Sequence, residues 1–404
     1  MNFRPDRTDA AFRQEVCAFV AQDLPREIAE RAGRTCHPSR ADVAAWMAVL
    51  HRQGWSAIGW PASYGGREWS GVRRLIFEEE CLRGGAPPQH FANIHSVGPV
   101  IYSFGTQEQK GRYLEPLLKG DEFWCQGFSE PNAGSDLSAL RTRAVLDGDH
   151  YFVSGQKIWT SDAHEADFMF ALVRTGPLVP QQEGISFLLI DMKSPGVRVR
   201  PITLLDRSHV VSEIFLDNVA VPVANRVGAE GEGWAIAKFL LANERAFSAE
   251  VPSTKHDLKR LIELAKSQRR GSGVLWDDPL FRADVVRLQA DLDALEYSVL
   301  RVVLDGEHHG SDLASLVKIP GSELRQRVSE LMAEALSTYG VAYYPSAYAT
   351  GAHDALPGPA EGQGISETFT YRRATTIYGG TSEIQREIIA RSLSRMAQRP
   401  GDEL

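Results

Sequence analysis

Residues 144–159 of this 404-residue chain read AVLDGDHYFVSGQKIW, and they mark the point where the sequence pattern changes. Apolar residues lie in short groups, separated by turn signals at Asp147-Gly148-Asp149 and at Ser154-Gly155. This pattern predicts short antiparallel strands joined by tight turns. Similar short apolar segments follow at 167–174, 185–191, 197–202 and 212–215. Residues 121–232 are therefore predicted to form a β-domain.

Helical periodicity dominates on both sides of this segment. Towards the N-terminus, Phe12, Val16 and Phe19 fall on one helical face. Towards the C-terminus, long helical patterns cover residues 234–268, 278–308, 310–340 and 381–398. The predicted fold class is α+β, with an N-terminal helical domain (1–120), the middle β-domain (121–232) and a C-terminal helical bundle (233–404). A Gly/Pro/Ala-rich stretch, residues 343–371, is too long for a plain bundle connection and is expected to be functional or mobile.

Composition and charge exclude several classes of function. The net charge of -8 argues against nucleic acid and anionic membranes as partners. Apolar runs are far shorter than the roughly 20 residues that cross a bilayer. The charged start of the chain predicts a cytoplasmic protein. The cysteines are scattered, so we expect four free thiols and no metal site.

Three separated motifs resemble the acyl-CoA dehydrogenase family, and the resemblance extends over essentially the whole chain. Residues 124–136 (WCQGFSEPNAGSD) are similar to the family's flavin-side segment. Residues 155–161 (GQKIWTS) are similar to the strand behind the flavin ring, and residues 377–385 (IYGGTSEIQ) to the turn and helix beside the thioester. Within the family, the sequence most resembles the pimeloyl-CoA dehydrogenase large-subunit branch. The resemblance implies the three-domain fold of this family and FAD as cofactor.

The resemblance also assigns residues to the cofactor. Small residues permit close backbone approach and hydroxyls can bond a flavin edge. The positions matching the family's flavin contacts are Phe128, Ser129, Gly134, Ser135, Trp159, Ser161 and Thr381. Without the resemblance, Trp159 would be interpreted as a core aromatic on a strand and Gly134 as an ordinary turn glycine.

The base for the α-proton is expected at Glu244. Many family members carry a glutamate where this chain has Gly379, so the usual base is absent. Some members with long- or branched-chain specificity instead use a glutamate before an arginine on the first bundle helix, and Glu244-Arg245 matches that pair. Apolar neighbours would raise the pKa of such a glutamate towards that of a general base. The alternative is a surface glutamate paired with a nearby cation.

Further positions are implied on the substrate side. The Gly379 N–H is expected to donate to the thioester carbonyl, which acidifies the α-carbon. Ser135, Tyr378 and Arg245 are the other implied substrate contacts, with Arg245 ordering the site beneath Glu244.

Two motifs that serve a neighbour's FAD in homotetrameric members are degraded here. The corresponding regions read QRRGSGVLW (268–276) and STYGV (337–341). We therefore expect a heteromer, most simply α2β2, in which a related subunit supplies the adenylate contacts. The alternative is a homo-oligomer in which Arg269 or Arg270 holds the adenylate.

The expected reaction is α,β-dehydrogenation of an acyl-CoA to the trans-2-enoyl-CoA, with electrons passed to an electron-transfer flavoprotein. A flavin oxidase or monooxygenase on the same fold is the alternative, because a fold does not determine its chemistry. A non-catalytic scaffold subunit is a third interpretation, which the intact flavin motifs and Glu244 oppose. The acyl group stays open among long, branched, dicarboxylic and ring-bearing chains.

Overall fold

The computed structural model describes residues 7–33, 35–245, 249–304, 310–342 and 358–397. None of the helices in these ranges combines the length and apolar character that crossing a bilayer requires. The chain folds as two compact units. Residues 39–68 and 88–244 form one, called the sheet unit, and the remaining residues form the other, called the bundle unit.

Helices account for most of the described chain outside residues 124–227. Their bounds are α1 (Arg7–Asp23), α2 (Arg26–Ala32), α3 (Arg40–Gln53), α4 (Gly71–Arg83), α5 (Gly98–Phe104), α6 (Gln107–Lys119), α7 (Gly233–Arg245), α8 (Val251–Ser267), α9 (Pro279–Leu304), α10 (Gly310–Ala335), α11 (Ile365–Tyr371) and α12 (Ser382–Ala397). Local chemistry sets several of the ends. At the start of α6, Thr106 Oγ1 accepts from the Gln109 N–H, and Gln109 Oε1 accepts from the Thr106 N–H. At the end of α3, Gly54 adopts φ 73°, the left-handed region that glycine tolerates best.

The strands form one mixed sheet and one small hairpin. Their bounds are β1 (Trp124–Gly127), β2 (Arg143–Asp147), β3 (His150–Ser161), β4 (Phe168–Arg174), β5 (Ile185–Asp191), β6 (Val197–Ile202), β7 (Val211–Pro222), β8 (Arg226–Val227), β9 (Arg269–Arg270) and β10 (Gly273–Val274). In the main sheet the order is β6-β7-β3-β2-β4-β5-β8, and β1 pairs in parallel with β4. The hairpin of β9 and β10 belongs to the bundle unit.

Strand β4 lies at the centre of the sheet unit and is buried on both faces. Phe170 and Leu172 face a core that includes residues of α3, α5, α6 and α7. Met169, Ala171 and Val173 face a second core shared with β3 and β7. Burial on both faces explains why residues 168–173 are apolar without alternation.

In the bundle unit, α8, α9 and α10 pack around a leucine- and valine-rich core that includes Leu261, Leu288 and Val328. Helix α4, from the N-terminal part of the chain, also packs against α8 and α9, and Leu75 lies against this core. The domain boundaries proposed from the sequence stay a prediction, while the α+β class is confirmed.

Two local predictions were wrong. No turn occurs at Ser154-Gly155, because β3 continues through both residues to Ser161. Gly155 is needed there for close approach, since a Cβ would lie 2.5 Å from Thr142 Oγ1. The last predicted strand, 212–215, is also only part of the longer β7.

The helix predicted over residues 234–268 is divided into α7 and α8. Residues 246–248 lie outside the described part of the chain, and Glu250 precedes α8 with a left-handed φ of 45°. Pro252 occupies the first turn of α8, where its missing N–H costs no helical hydrogen bond. Gly321 of α10 allows the backbone at Ala249 to pack closely against α10, since a Cβ on Gly321 would lie 2.7 Å from the Ala249 carbonyl oxygen.

Candidate functional site

The segment that follows β1 carries four of the predicted cofactor contacts. Phe128 is buried, and its ring packs at 5.8 Å from that of Phe170. Ser129 is half-buried, and Gly134 and Ser135 are exposed. A Cβ on Gly134 would meet nothing within 4 Å, so the backbone faces open space. The Phe128 side chain is therefore directed into the core, whereas the other three residues are accessible.

A β-bulge places Trp159 and Ser161 on the outer face of β3. In the pairing with β7, the register shifts between Lys157 and Thr160, and Trp159 has φ 59°. Side chains alternate along a strand, so without the bulge Trp159 and Ser161 would share the inward direction of Lys157. Instead Trp159 is 58% exposed, and Ser161 is exposed as well. The interpretation of Trp159 as a core aromatic is therefore wrong.

A buried ion pair joins this strand to the segment after β1. Lys157 Nζ lies 2.8 Å from Glu130 Oε1 and donates to the carbonyl oxygens of Phe128 (3.2 Å) and Leu172 (2.7 Å). The Glu130 carboxylate also accepts from the Thr142 N–H at 2.9 Å. Burial works against the charged carboxylate, but these donors hold the pKa of Glu130 below its usual range. Sequence reasoning missed this pair, because nothing in the sequence indicates that residues 130 and 157 meet.

In the bundle unit, buried amide and ammonium groups hold the turn before α12. Gly379 and Gly380 adopt φ 64° and 85°. Lys318 of α10 donates through Nζ to the carbonyl oxygens of Thr375 (3.0 Å) and Gly380 (2.9 Å). Gln385 Nε2 donates to Gly379 O at 3.2 Å and to Gly380 O at 3.3 Å. The turn is thus held from beneath through its carbonyl groups, and sequence reasoning missed Lys318.

The predicted substrate contacts on this turn differ in accessibility. A Cβ on Gly379 would meet nothing within 4 Å, and among the described residues no acceptor takes the Gly379 N–H. The Thr381 hydroxyl caps α12 by accepting from the Ile384 N–H at 3.2 Å, and it also hydrogen-bonds the Glu383 carboxylate. Tyr378 is 41% exposed. Gly379 therefore presents a free donor beside open space.

A charged cluster surrounds the Tyr378 hydroxyl, and the sequence pattern did not predict it. Arg325 of α10 hydrogen-bonds this hydroxyl and forms an ion pair with Glu250. Burial of the hydroxyl itself, together with the charge of Glu250, raises the pKa of Tyr378 to about 12. Glu78 of α4 lies in the field of Glu250, and burial is the main cause that raises its pKa to about 7. These residues are far apart in sequence, which is why periodicity gave no signal.

The predicted base lies at the end of α7. The backbone of Glu244 and Arg245 belongs to the last turn of this helix, but their side chains lie outside the described residues. One turn earlier, Leu240 is buried and Leu241 half-buried. The roles of Glu244 and Arg245 stay predictions.

The residues on the sheet unit fit a flat, amphipathic ligand. An exposed indole at a bulge with a left-handed backbone is an unfavourable arrangement unless a partner covers it. Hydroxyl groups at Ser129, Ser135 and Ser161 and the open backbone at Gly134 can serve the polar edge of such a ligand. All four cysteines are free thiols, as expected.

Comparison with known families identifies the class of protein. Models of the N-terminal, middle and C-terminal domains of acyl-CoA dehydrogenases match residues 6–121, 125–219 and 231–394. The chain therefore belongs to the acyl-CoA dehydrogenase family, which comprises FAD-dependent oxidoreductases acting on CH–CH groups. The resemblance noted in the sequence and the cofactor it implied are confirmed.

Individual relatives refine the comparison. The chain is 35% identical over 390 residues to the acyl-CoA dehydrogenase IpdE1 of Mycobacterium tuberculosis, covering 94% of this chain and 95% of the relative. It is similar to a chain of the ChsE4-ChsE5 complex of Mycobacterium tuberculosis, with 30% identity, a TM-score of 0.83 and full coverage of both chains. It is also similar to a chain of the Tcur3481-Tcur3483 steroid acyl-CoA dehydrogenase, with 28% identity, a TM-score of 0.84 and full coverage of both chains.

Proposed function

We propose that this protein dehydrogenates an acyl-CoA thioester to the trans-2-enoyl-CoA, with Glu244 as the base. The observation that carries the assignment is the turn at Gly379. Among the described residues, no acceptor takes its backbone N–H and no atom lies within 4 Å of its Cβ position, so it offers an oxyanion donor and no carboxylate. A base must then come from another element, and Glu244, at the end of α7, occupies the position that the family resemblance implies.

Each proposed residue has a separate task. Glu244 removes the proton from the α-carbon, and the Gly379 N–H stabilises the negative charge that develops on the thioester oxygen. FAD, when bound, supplies the acceptor for the hydride that leaves the β-carbon. Trp159 covers the flavin ring, while Ser129, Ser135, Ser161 and the Phe128 and Gly134 backbone bind its edge and polar tail. Thr381 is assigned to the same cofactor, and Tyr378 and Arg245 border the substrate.

The acyl group that we propose is ring-bearing. Gly379 stands where many family members carry a glutamate, and within the described part of the chain no atom lies within 4 Å of its Cβ position, a space that we assign to the acyl group. A bulky acyl group can use that volume, whereas a straight chain does not need it. A solved relative with full coverage is described as a steroid acyl-CoA dehydrogenase, which supports the same class.

The proposed assembly is a heteromer, most simply α2β2, with electrons passed to an electron-transfer flavoprotein. Two solved relatives are complexes of unlike subunits. In the region where homotetrameric members serve a neighbour's FAD, this chain has the exposed hairpin of Arg269 and Arg270. A homo-oligomer that uses these arginines is the alternative. A role in fatty acid β-oxidation and a cytoplasmic location stay predictions.

The test is anaerobic bleaching of the bound flavin by a panel of acyl-CoAs. The panel contains hexanoyl-CoA, cyclohexane-1-carbonyl-CoA and a steroid carboxyl-CoA, and the protein is purified alone and after co-expression with a related subunit. Ring-bearing substrates are expected to bleach the flavin faster than hexanoyl-CoA. Rapid reoxidation of the reduced flavin in air would instead favour an oxidase or monooxygenase.

Three matched variants test the base. Glu244→Gln is expected to slow bleaching by about 10²- to 10⁴-fold while FAD stays bound. Glu250→Gln and Glu78→Gln change two carboxylates of the charged cluster in the bundle unit and are expected to bleach within a few fold of the wild type. If Glu244→Gln bleaches normally and one of the other two does not, the base assignment is wrong.

A further inference from the structure

The proposed flavin contacts of the sheet unit lie on two separate pieces of chain. Ser129, Gly134 and Ser135 belong to the segment after β1, whereas Trp159 and Ser161 belong to the end of β3. Only one backbone hydrogen bond is found directly between these pieces within the described residues, from the Ile158 N–H to the Ser129 carbonyl oxygen (3.0 Å). One bond leaves rotation about it free, so it does not by itself fix the position of one piece relative to the other.

The Lys157 ammonium supplies the remaining links. Its side chain is fully buried, and its three donors are taken by Glu130 Oε1, Phe128 O and Leu172 O. Two of these acceptors lie on the segment after β1 and the third lies on β4. The ammonium therefore connects three parts of the sheet unit at one point.

Glu130 extends the same network in the other direction. Its carboxylate accepts from the N–H groups of Arg141 (2.6 Å) and Thr142 (2.9 Å), immediately before β2. Its own backbone forms a closed turn with Ala133, through two hydrogen bonds of 3.0 Å. That turn leads directly to Gly134 and Ser135. The position of the Glu130 carboxylate thus determines where the exposed part of the segment begins.

We propose that the buried Glu130–Lys157 pair is a positioning device for FAD: it holds the segment 128–135 and the outward-facing Trp159 and Ser161 in one fixed arrangement. Lys157 points inward immediately before the bulge that turns Trp159 outward. Anchoring the inward residue resists relaxation of the bulge, which would rotate the indole towards the core. The inference rests on the flavin contacts assigned under the proposed function.

Stability alone is a weak explanation for the pair. Replacing a buried ion pair by apolar residues of similar volume often leaves a protein equally or more stable. Here every partner outside the pair itself is a backbone group, and Phe128 O lies on the segment 128–135 that carries flavin contacts. A role in positioning the chain explains why these partners are backbone groups, whereas a role in stability alone does not require backbone partners.

The test measures FAD affinity by titrating the apoprotein, prepared from the purified oligomer, at a temperature well below its unfolding midpoint. Glu130→Gln and Lys157→Met are expected to weaken FAD binding at least tenfold and to broaden the visible flavin spectrum. Glu213→Gln, on β7 and paired with exposed Arg200, and Lys193→Met, paired with Asp167, are the matched controls. Both controls are expected to bind FAD within twofold of the wild type.

A conservative variant keeps the test decisive if the first two do not fold. Glu130→Asp retains the charge but shortens the side chain by one methylene, so it is expected to fold, to weaken FAD binding several-fold and to shift the visible flavin circular dichroism. If Glu130→Asp and every other variant that folds bind FAD with wild-type affinity and an unchanged spectrum, the pair only stabilises the fold and the proposal is wrong.

A third arm separates this inference from the assignment of the site. Trp159→Ala is expected to weaken FAD binding as well. If Trp159→Ala has no effect, the assigned flavin site itself is wrong. If Trp159→Ala weakens binding but the variants of the pair do not, only the positioning role fails. None of these readouts involves substrate or Glu244, so they do not depend on the proposed base.

Discussion

Replacement of Lys318 by methionine tests whether the turn at Gly379 depends on the ammonium beneath it. Lys318 is 2% exposed, and its Nζ donates to Thr375 O at 3.0 Å and to Gly380 O at 2.9 Å. Methionine has a similar length and no donor. A hydrogen bond to a charged group contributes about 1.5–3 kcal/mol. Gly380 O keeps a second donor, Gln385 Nε2, whereas Thr375 O loses its charged one. We therefore expect a loss of about 2–4 kcal/mol in the free energy of unfolding.

The assay combines urea unfolding with steady-state kinetics. Because the turn carries the donor proposed for the thioester, kcat/KM for the acyl-CoA is expected to fall together with stability. Lys259→Met is the control, since Lys259 is 63% exposed and its nearest carboxylate, on Glu263, is 3.8 Å away. A Lys318→Met variant within about 0.5 kcal/mol of the wild type, with unchanged kcat/KM, would refute the reasoning.

Three further predictions concern the bundle unit. Asp257 forms a buried ion pair with Arg372, so Asp257→Asn is expected to lower the free energy of unfolding, measured by urea titration, by about 3–5 kcal/mol. The control is Asp291→Asn, which breaks an exposed ion pair with Arg327 and should lower the free energy of unfolding by less than about 1 kcal/mol. The pKa of Glu78 is raised from 4.5 to about 7, so the folded state holds the Glu78 proton more tightly than the unfolded state does. The free energy of unfolding is therefore expected to fall by about 1–3 kcal/mol as pH rises from 4.5 to 7. Glu78→Gln should flatten that part of the pH profile, and a variant with an unchanged profile would contradict the raised pKa. Gly379→Ala introduces a Cβ at φ 64° without a steric neighbour among the described residues, and it is expected to lower the free energy of unfolding by about 1–2 kcal/mol in thermal unfolding. The same variant should lower kcat/KM for ring-bearing acyl-CoAs more than for hexanoyl-CoA. An equal effect on both substrates would oppose the ring-bearing assignment.

Much of the fold was predictable because its signals are local. The change from helical to strand periodicity near residue 121 follows from neighbouring residues, and the apolar runs at β4 and β5 have the composition of buried strands. The division between α7 and α8 was not predictable in this way. Residues on both sides have helical periodicity, and Ala249, just before the left-handed Glu250, packs against Gly321, about 70 residues later in the chain.

The candidate site shows the same contrast. Gly134 and Gly379 were identified from motifs, and the structure gives both an open Cβ position. The orientation of Trp159 could not be read from alternation, because the bulge reverses the inward and outward positions after Lys157. Lys318 was missed for a different reason. Its acceptors lie 57 and 62 residues further along the chain, a separation at which sequence spacing carries no information about contact.

The placement of α4 in the bundle unit has a consequence for the order of events on the ribosome. Leu75 of α4 packs against a core built by α8, α9 and α10, all of which follow far later in the sequence. At typical synthesis rates, α8 leaves the ribosome roughly 10–40 s after α4. During that interval, residues 88–244 emerge and can complete the sheet unit, while the side of α4 that carries Leu75 still lacks α8, α9 and α10. We therefore expect the nascent chain to present an apolar surface that chaperones bind, until translation reaches the C-terminal helices.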